Sequence, residues 1–197
     1  MTAPLPPNDI NARSPRSTTI RNTTTFYRFY PRGKDPIYFD RSKEGRLNSL
    51  DASFGVLYAA KQLSGAFAET FLRESGRTLL AIDFIAKKAL VSLRSRRPLR
   101  VVNLHGPGLA VLGATAEITS GPQPYDVPQA WSAALHNHPS AFDGIAYYAR
   151  HDNDEVCYAF FDRSASAITE VHREEMLLNA KWLDSLLDRY SVGIAPE

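Results

Sequence analysis

The sequence predicts one α+β domain. Segments rich in β-branched and aromatic residues are interspersed with segments of helical periodicity, but without the regular alternation of a doubly wound α/β fold. The chain of 197 residues, 44% of them hydrophobic, is long enough for one substantial core and short for two. No internal repeat is present.

The N-terminal part of the chain predicts a tail followed by the start of the domain. Residues 1–22 are rich in Pro, Asn, Ser and Thr with few apolar anchors, which predicts a mobile tail. The domain itself is expected over residues 23–172. Residues 173–197 are expected to add a C-terminal helix that packs on the same domain.

The first predicted strand covers residues 24–30 and carries an arginine among aromatic residues. Period-two alternation places Arg28 on one face between Phe26 and Tyr30, which is unusual for a simple core strand. A polar stretch over residues 31–51 follows and predicts a long loop. Long loops in compact domains are often functional.

A strand over residues 54–60 and a helix over about 61–74 come next. The buried stripe of this helix is predicted to comprise Leu63, Ala66, Phe67 and Phe71. At 100° per residue, Glu69 falls more than 90° from the centre of that stripe. Glu69 therefore faces either water or a cleft.

The rest of the chain predicts further strands and helices. Strands are expected at 77–84, 99–104, 144–148 and 156–161, with a polar connection over 151–155. Residues 106–113 predict a turn or short helix. Asp126 and Gln129 have the spacing of a capping box at the start of another helix. The last helix is predicted to carry on one face Met176, Leu183, Leu186, Leu187 and Tyr190.

Charge and cysteine content exclude several classes of protein. A net charge of +2 is too small to argue for nucleic-acid or membrane binding. The basic pairs and runs at 87–88 and 94–97 predict a solvated loop or edge, with contact to a phosphate or a partner as the alternative. Cys157 is the single cysteine and lies in an apolar run, which predicts a buried packing residue rather than a nucleophile.

The sequence also lacks targeting segments. The N-terminus has no apolar core of a secretory signal, and no apolar run approaches the roughly 20 residues of a membrane span. We therefore expect a cytoplasmic protein.

Several common catalytic arrangements are missing from the sequence. His136 and His138 are two residues apart on a predicted helix, so they cannot share a metal ion. No Walker-type loop, GxGxxG motif or GxSxG elbow is present. Ser140 has no evident base beside it, which favours a structural role.

Four residues in the N-terminal part of the chain have the chemistry of a dinucleotide site. Arginines such as Arg28 and Arg46 suit bidentate contacts to phosphate oxygens. The ring of Tyr58 suits stacking on a flat base. A carboxylate such as Glu69 suits stabilisation of an oxocarbenium-like transition state. The alternative is that these are ordinary surface residues.

The ordered set of segments over about residues 25–170 resembles the RES-domain family, the toxins of bacterial Xre–RES toxin–antitoxin pairs. The matching segments are Tyr27-Arg28-Phe29, Gly45-Arg46-Leu47-Asn48, Val56-Leu57-Tyr58-Ala59-Ala60, Ala68-Glu69-Thr70, the stretch 99–104, Ala130-Trp131 and the stretch 143–152. No single segment is very specific, but the ordered set with its spacing is.

The resemblance implies a compact fold similar to that of ADP-ribosyltransferases, with a central mixed or antiparallel β-sheet and flanking helices. It also implies an enzyme that uses NAD as substrate and needs no metal. Members break the bond between nicotinamide and ribose by phosphorolysis or hydrolysis, and some instead transfer ADP-ribose to a protein.

Carried onto this chain, the resemblance implies that Glu69 is the catalytic carboxylate and that Arg46 belongs to the catalytic group. Arg28 and Arg46 would hold the dinucleotide, and Tyr58 would pack against its nicotinamide end. The NAD-binding residues are then Arg28, Tyr58, Asn48 and Arg150.

One departure from the family concerns the serine expected after the Gly-Ile strand, which here is Ala149. A missing hydroxyl removes one hydrogen bond, typically a few kcal/mol at most. Three hypotheses therefore stand: an NAD-degrading toxin, a protein ADP-ribosyltransferase, and a catalytically weakened domain that binds a partner or nucleotide.

The resemblance also implies partners. An Xre-type DNA-binding antitoxin would cover the cleft, and a homodimer could form within that complex. Inorganic phosphate would be the second substrate in phosphorolysis. The chain itself has no base-reading motif, so we expect no direct contact with nucleic acid.

Overall fold

An eight-stranded β-sheet forms the centre of the protein in the computed structural model, which describes residues 3–74 and 76–195. Its strands are β1 (Ser17–Ile20), β2 (Phe26–Pro31), β3 (Val56–Ala60), β5 (Lys88–Ser95), β6 (Leu99–Asn103), β7 (Gly144–Ala149), β8 (Asp152–Phe161) and β9 (Ile168–Glu174). Their order across the sheet is β1-β6-β7-β8-β3-β2-β5-β9. Strands β6 and β7 run parallel and the other neighbours antiparallel.

Helices and a small second sheet flank the large sheet. The helices are α1 (Leu63–Phe71), α2 (Ile82–Ala86), α3 (Pro107–Leu112), α4 (Glu117–Ser120), α5 (Asp126–His136) and α6 (Leu183–Tyr190). The 3-10 segments are Ile10–Ala12, Asp162–Ala167 and Leu177–Asn179. Strands β4 (Leu79–Ala81) and β10 (Gly193–Ala195) pair in parallel. The prediction of an α+β domain with a mixed central sheet and flanking helices is confirmed.

The two faces of the large sheet bury two separate apolar clusters. On β3, Val56 and Ala60 belong to the larger cluster and Leu57 and Ala59 to the smaller, as period-two alternation requires. The larger cluster contains the apolar sides of α1, α5 and α6, with Trp131 fully buried in it. Helix α1 is therefore fixed against the sheet by Phe67 and Phe71, as its periodicity predicts.

Strands β2 and β3 pair at only one position, which opens the sheet at the place where the candidate site lies. Tyr27 is opposite Ala60, and no further pair of these strands is in register. The Nη1 atom of Arg28 donates to the backbone oxygen of Tyr58 at 2.8 Å, so a side chain replaces the next ladder bond. Arg28 thus lies at this opening and not in a simple core, which explains its place between two aromatic residues.

The prediction of a mobile tail over residues 1–22 is wrong where the structure describes that stretch. Residues Ser17–Ile20 pair with β6 along four positions, and Ile10 and Ile20 are buried. The indole Nε1 of Trp131 donates to the oxygen of Pro4 at 2.7 Å. A few apolar anchors are enough here, because the sheet edge satisfies the backbone of the remaining polar residues.

Other boundaries also differ from the predictions. The segment predicted as a strand over 77–84 contains only the short β4 and then turns into α2. Of the residues predicted as a polar connection over 151–155, all but His151 belong instead to β8, which begins at Asp152. Strands β5 and β9 were not predicted, and β9 crosses the expected domain boundary at 172. Lys88, Ser92, Arg94 and Ser95 interrupt the apolar residues of β5, and β9 is an edge strand of mostly polar residues that is exposed along much of its length.

The predictions of a helix starting at Asp126 and of a last helix near the C-terminus are confirmed in part. Helix α5 starts at Asp126, but Asp126 makes no capping hydrogen bond, and Gln129 donates instead to the backbone oxygens of Lys43 and Gly45 at 2.8 and 3.0 Å. Helix α6 buries Leu183, Leu186 and Leu187 as predicted. Met176 lies before that helix and is exposed.

Candidate active site

A cavity of about 490 Å³ lies at the opening between β2 and β3. It is lined by both strands, by α1, by the loop over residues 40–47 and by the turn between β7 and β8. Five of the six residues expected to form the site line this cavity: Arg28, Arg46, Tyr58, Glu69 and Arg150. The sixth, Asn48, lies behind its wall.

Glu69 lies on the side of α1 that faces the cavity and is held at both carboxylate oxygens. Its Oε1 accepts a hydrogen bond of 2.9 Å from the backbone N–H of Arg150, and its Oε2 accepts one of 3.4 Å from the hydroxyl of Tyr147. Burial, and then the charge of Glu69, raise the pKa of Tyr147 well above its ordinary value, so Tyr147 remains a neutral donor. The carboxylate is therefore oriented before any ligand arrives.

The guanidinium of Arg28 is buried at the opening of the sheet. Burial lowers its pKa, while the nearby Asp40 opposes that shift. Its Nη1 is satisfied by Tyr58, but its Nε is buried without a hydrogen-bond partner among the described residues. An unsatisfied cationic donor of this kind is costly unless a ligand completes it.

Arg46 approaches the cavity from the loop before β3. Its Nη1 donates to the backbone oxygen of Thr119, and its guanidinium carbon lies 5.1 Å from the ring centre of Tyr125. Its Nε is likewise buried and has no partner in the part of the chain that the structure describes. Arg28 and Arg46, which both line this cavity, thus each have a buried Nε donor without a hydrogen-bond partner among the described residues.

Tyr58 and Asn48 fix the loop that carries Arg46. The hydroxyl of Tyr58 accepts from the backbone N–H of Leu47 and donates to Oδ1 of Asn48, both at 2.9 Å. The amide nitrogen of Asn48 donates to Asp40 and to the backbone oxygen of Ser42 at 2.9 and 2.8 Å. The polar ends of both residues are occupied, so the hydroxyl of Tyr58 and the side chain of Asn48 support the site, and Tyr58 also lines the cavity.

Gly45 is required by this arrangement. A Cβ atom at this position would lie 2.3 Å from Oδ1 of Asn48, closer than any real contact. The Gly-Arg-Leu-Asn segment therefore keeps its glycine because the asparagine side chain crosses directly over it.

The cavity has an excess of positive charge. Its cationic side chains are Arg28, Arg46, Arg73, Lys88 and Arg150, and its carboxylates are Asp40, Glu44 and Glu69. None of the ion pairs found within residues 3–74 and 76–195 involves any of these eight groups. Such a surface attracts anions.

Sequence reasoning did not identify several residues that complete the site. Asp40, Tyr147 and His151 line the cavity, and Nε2 of His151 is buried without a partner among the described residues. Tyr147 and His151 lie within a segment that carries the family resemblance, which is a usable signal. Asp40 lies in a polar loop with nothing in the local sequence to distinguish it.

Ala149, in the position of the expected serine, is fully buried and does not line the large cavity. It borders a separate cavity of about 60 Å³ together with Thr119 and Ser120. Cys157 is buried and unpaired in the larger apolar cluster, as predicted, but it also lines the large cavity; burial raises its pKa well above the ordinary value, which disfavours the thiolate.

The residues considered for other chemistries lie elsewhere. The ring of His136 stacks on Phe54 with centroids 4.1 Å apart, and the nitrogen atoms of His138 contact the backbone of Arg13 and Ser140. In residues 3–74 and 76–195 no group of three or more His, Cys, Asp or Glu side chains could hold a metal ion. No helix in those ranges is long and apolar enough to cross a membrane.

Comparisons with known proteins identify a similar fold and a matching family. A chain in the crystal structure of the M. tuberculosis MbcT–MbcA toxin–antitoxin complex has a similar fold, with a TM-score of 0.63 and 16% sequence identity. The similarity covers 83% of this chain and 87% of that chain. No curated protein matches the sequence. The model of the RES domain matches residues 25–180, and the chain therefore belongs to the RES-domain family.

Proposed function

We propose that this RES domain degrades NAD by cleaving the bond between nicotinamide and ribose, and that it acts as the toxin of a toxin–antitoxin pair. The observation that carries the proposal is the meeting of Glu69 with the unsatisfied guanidinium groups of Arg28 and Arg46 at one cavity. A dinucleotide supplies what these groups lack, namely a pyrophosphate for the arginines and a reacting ribose for the carboxylate.

The pyrophosphate fits the two arginines. Each has an Nε donor that is buried without a partner, and a phosphate oxygen is the acceptor that a guanidinium binds best. Nη1 of Arg28 donates to the backbone oxygen of Tyr58, and Nη1 of Arg46 donates to that of Thr119. Both guanidinium groups are therefore oriented before the substrate binds. Binding then costs little reordering of side chains.

Glu69 fits the reacting end of the substrate. When the bond from C1′ to the nicotinamide nitrogen breaks, its electron pair stays on the nitrogen, and the positively charged ring leaves as neutral nicotinamide. The ribose acquires oxocarbenium character, which a carboxylate stabilises through charge and through a hydrogen bond to a ribose hydroxyl. Water or phosphate then forms the new bond to C1′ through an oxygen, and water loses a proton in doing so.

The ring of Tyr58 completes this end of the site. Its hydroxyl is committed to Leu47 and Asn48, so the ring is rigid and presents an apolar surface to the cavity. A rigid aromatic surface next to the carboxylate suits the flat nicotinamide.

The toxin role is supported by membership in the RES family and by the likeness to a chain of a toxin–antitoxin complex. We propose an Xre-type antitoxin that covers the cavity, with a homodimer of the toxin inside that complex. Inorganic phosphate is the proposed acceptor in addition to water.

The test is release of nicotinamide from NAD by the purified protein, with and without phosphate, beside Glu69→Gln and the matched control Glu175→Gln. Glu175 is an exposed carboxylate outside the cavity. We expect release by the wild type and the control and a loss of several orders of magnitude in Glu69→Gln. Transfer of labelled ADP-ribose to protein would instead indicate a protein ADP-ribosyltransferase. No loss of NAD and no transfer would refute the enzymatic proposal and leave a binding domain.

A further inference from the structure

Two further cations that line the cavity have no role in the proposed chemistry. Arg73 follows the last turn of α1, and Lys88 is the first residue of β5. Both line the cavity beside Phe84, with Nζ of Lys88 5.6 Å from the centre of that ring. The arginines assigned to the pyrophosphate are Arg28 and Arg46, so these two positive charges are additional.

The positions of these cations are set by the backbone. Lys88 alternates with Ala89 and lies on the same face of β5 as Leu90, which belongs to the cluster beneath the helices. Arg73 lies four residues after Glu69, and its Nε donates to the backbone oxygen of Glu69 at 2.9 Å. This bond holds the Arg73 side chain against the last turn of α1, next to the backbone of Glu69.

Positive charges lie close together here without an ion pair to any of them in the part of the chain that the structure describes. Burial lowers the pKa of Lys88, and the charges of Arg73 and then Arg28 lower it further. Within residues 3–74 and 76–195 no carboxylate forms an ion pair with any of these three side chains. Three cations converging on one cavity are stabilised by a bound polyanion.

We propose that Arg73 and Lys88 form a second phosphate-binding subsite in the cavity, distinct from the pyrophosphate position between Arg28 and Arg46. The proposal rests on the proposed function, since it assigns a further phosphate group to the same site. That group is either the 2′-phosphate of a phosphorylated dinucleotide or free inorganic phosphate. Arg73 supplies a planar donor pair and Lys88 a point charge, a combination suited to a tetrahedral dianion.

Calorimetric titration of inorganic phosphate into the intact protein at constant ionic strength tests the subsite directly. Lys88→Met removes the proposed charge, and Lys87→Met is the matched control, because Lys87 is exposed, pairs with Asp83 and does not line the cavity. We expect affinity to fall about tenfold or more in Lys88→Met and in Arg73→Gln, and to stay unchanged in the control. Arg73 is exposed, so its variant tests the subsite even if Lys88→Met fails to fold.

Competition between phosphate and dinucleotides shows which phosphate group occupies the subsite. The experiment uses Glu69→Gln protein, because this variant should leave NAD and NADP intact. Displacement of phosphate by NADP but not by NAD assigns the subsite to the 2′-phosphate. Phosphate that stays bound beside both dinucleotides assigns it to free phosphate. Displacement by NAD would overturn the proposal, since the pyrophosphate would then occupy the same place.

The proposal and the proposed function can fail separately. The subsite is refuted if the wild type does not bind phosphate. It is also refuted if Lys87→Met and Lys88→Met lower the affinity for phosphate equally. Both conclusions hold whether or not the protein cleaves NAD. Conversely, a protein that leaves NAD intact but binds phosphate through Lys88 retains the subsite and refutes the proposed reaction.

Discussion

The backbone N–H of Arg150 donates a 2.9 Å hydrogen bond to Oε1 of Glu69, across 81 residues of sequence. This bond connects the end of β7 to helix α1, and with the hydroxyl of Tyr147 it fixes the direction of the carboxylate. Because the donor is a backbone group, the contact depends on the course of the chain and not on the side chain of Arg150. The orientation of the proposed catalytic group is thus a property of the fold.

Tyr58→Phe is expected to destabilise the protein rather than abolish binding. The change leaves the backbone N–H of Leu47 and Oδ1 of Asn48 without their partner, which costs about 1–3 kcal/mol for buried groups. Urea unfolding measures the effect. Tyr148→Phe, on a half-exposed ring, is the control and should leave the midpoint unchanged. Equal stabilities of the Tyr58 variant and wild type would mean that the hydroxyl does not hold the loop.

Arg46→Met is expected to lower kcat/KM for NAD by about 10- to 100-fold, the range for loss of a charged hydrogen bond to phosphate. Steady-state assays of nicotinamide release measure it. Arg94→Met is the comparison, because Arg94 is exposed and lies outside the cavity. A similar decrease in both variants would point to a general effect of charge and against a specific contact.

Asp40 should make the loop before β3 sensitive to acid. Burial alone would raise its pKa, but hydrogen bonds from Ser42 and Asn48 and the charge of Arg28 bring it below its ordinary value of 3.8. A lowered pKa in the folded state stabilises the protein above the unfolded value, and this contribution is lost as the pH falls through the folded pKa.

Urea midpoints between about pH 7 and pH 3 test this, with Asp40→Asn as the comparison. The stability difference between wild type and variant is expected to be constant at neutral pH and to shrink below about pH 4. A difference that is independent of pH would show that the carboxylate contributes no charge-dependent stability.

Ala149→Ser tests whether the missing family serine matters here. Ala149 is fully buried and borders the small cavity of about 60 Å³, which has room for one oxygen beside the polar residues Thr119 and Ser120. We expect a stability change within about 1 kcal/mol and little change in nicotinamide release. A large gain in activity would contradict this and would identify the natural chain as a weakened enzyme.

The features that the sequence predicts correctly are those set by local periodicity and composition. Helical periodicity places Glu69 off the buried stripe of its helix, because Phe67 and Phe71 define that stripe within one turn of it, and in the structure Glu69 lines the cavity. Strands β3 and β6 followed from their local composition in the same way. These features depend on residues a few positions apart.

Features that depend on distant partners could not be predicted. Strand β1 consists mostly of polar residues and is recognisable as a strand only from its pairing with the distant β6. The bonds that occupy Asn48 come from Asp40, Ser42 and Tyr58, and nothing in the Gly-Arg-Leu-Asn segment reveals that its asparagine supports the loop. The local sequence predicts that Lys88 is a solvated charge, whereas in the folded protein it lies near Arg73 and Arg28.

A crystal structure of Glu69→Gln protein with NAD would show how the dinucleotide lies in the cavity, because the variant preserves the shape of the cavity and should leave the dinucleotide intact. We expect the pyrophosphate between the Nε atoms of Arg28 and Arg46, and the C1′ atom of the nicotinamide ribose next to residue 69. A dinucleotide bound elsewhere on the protein, or one with its adenosine at residue 69, would contradict this expectation.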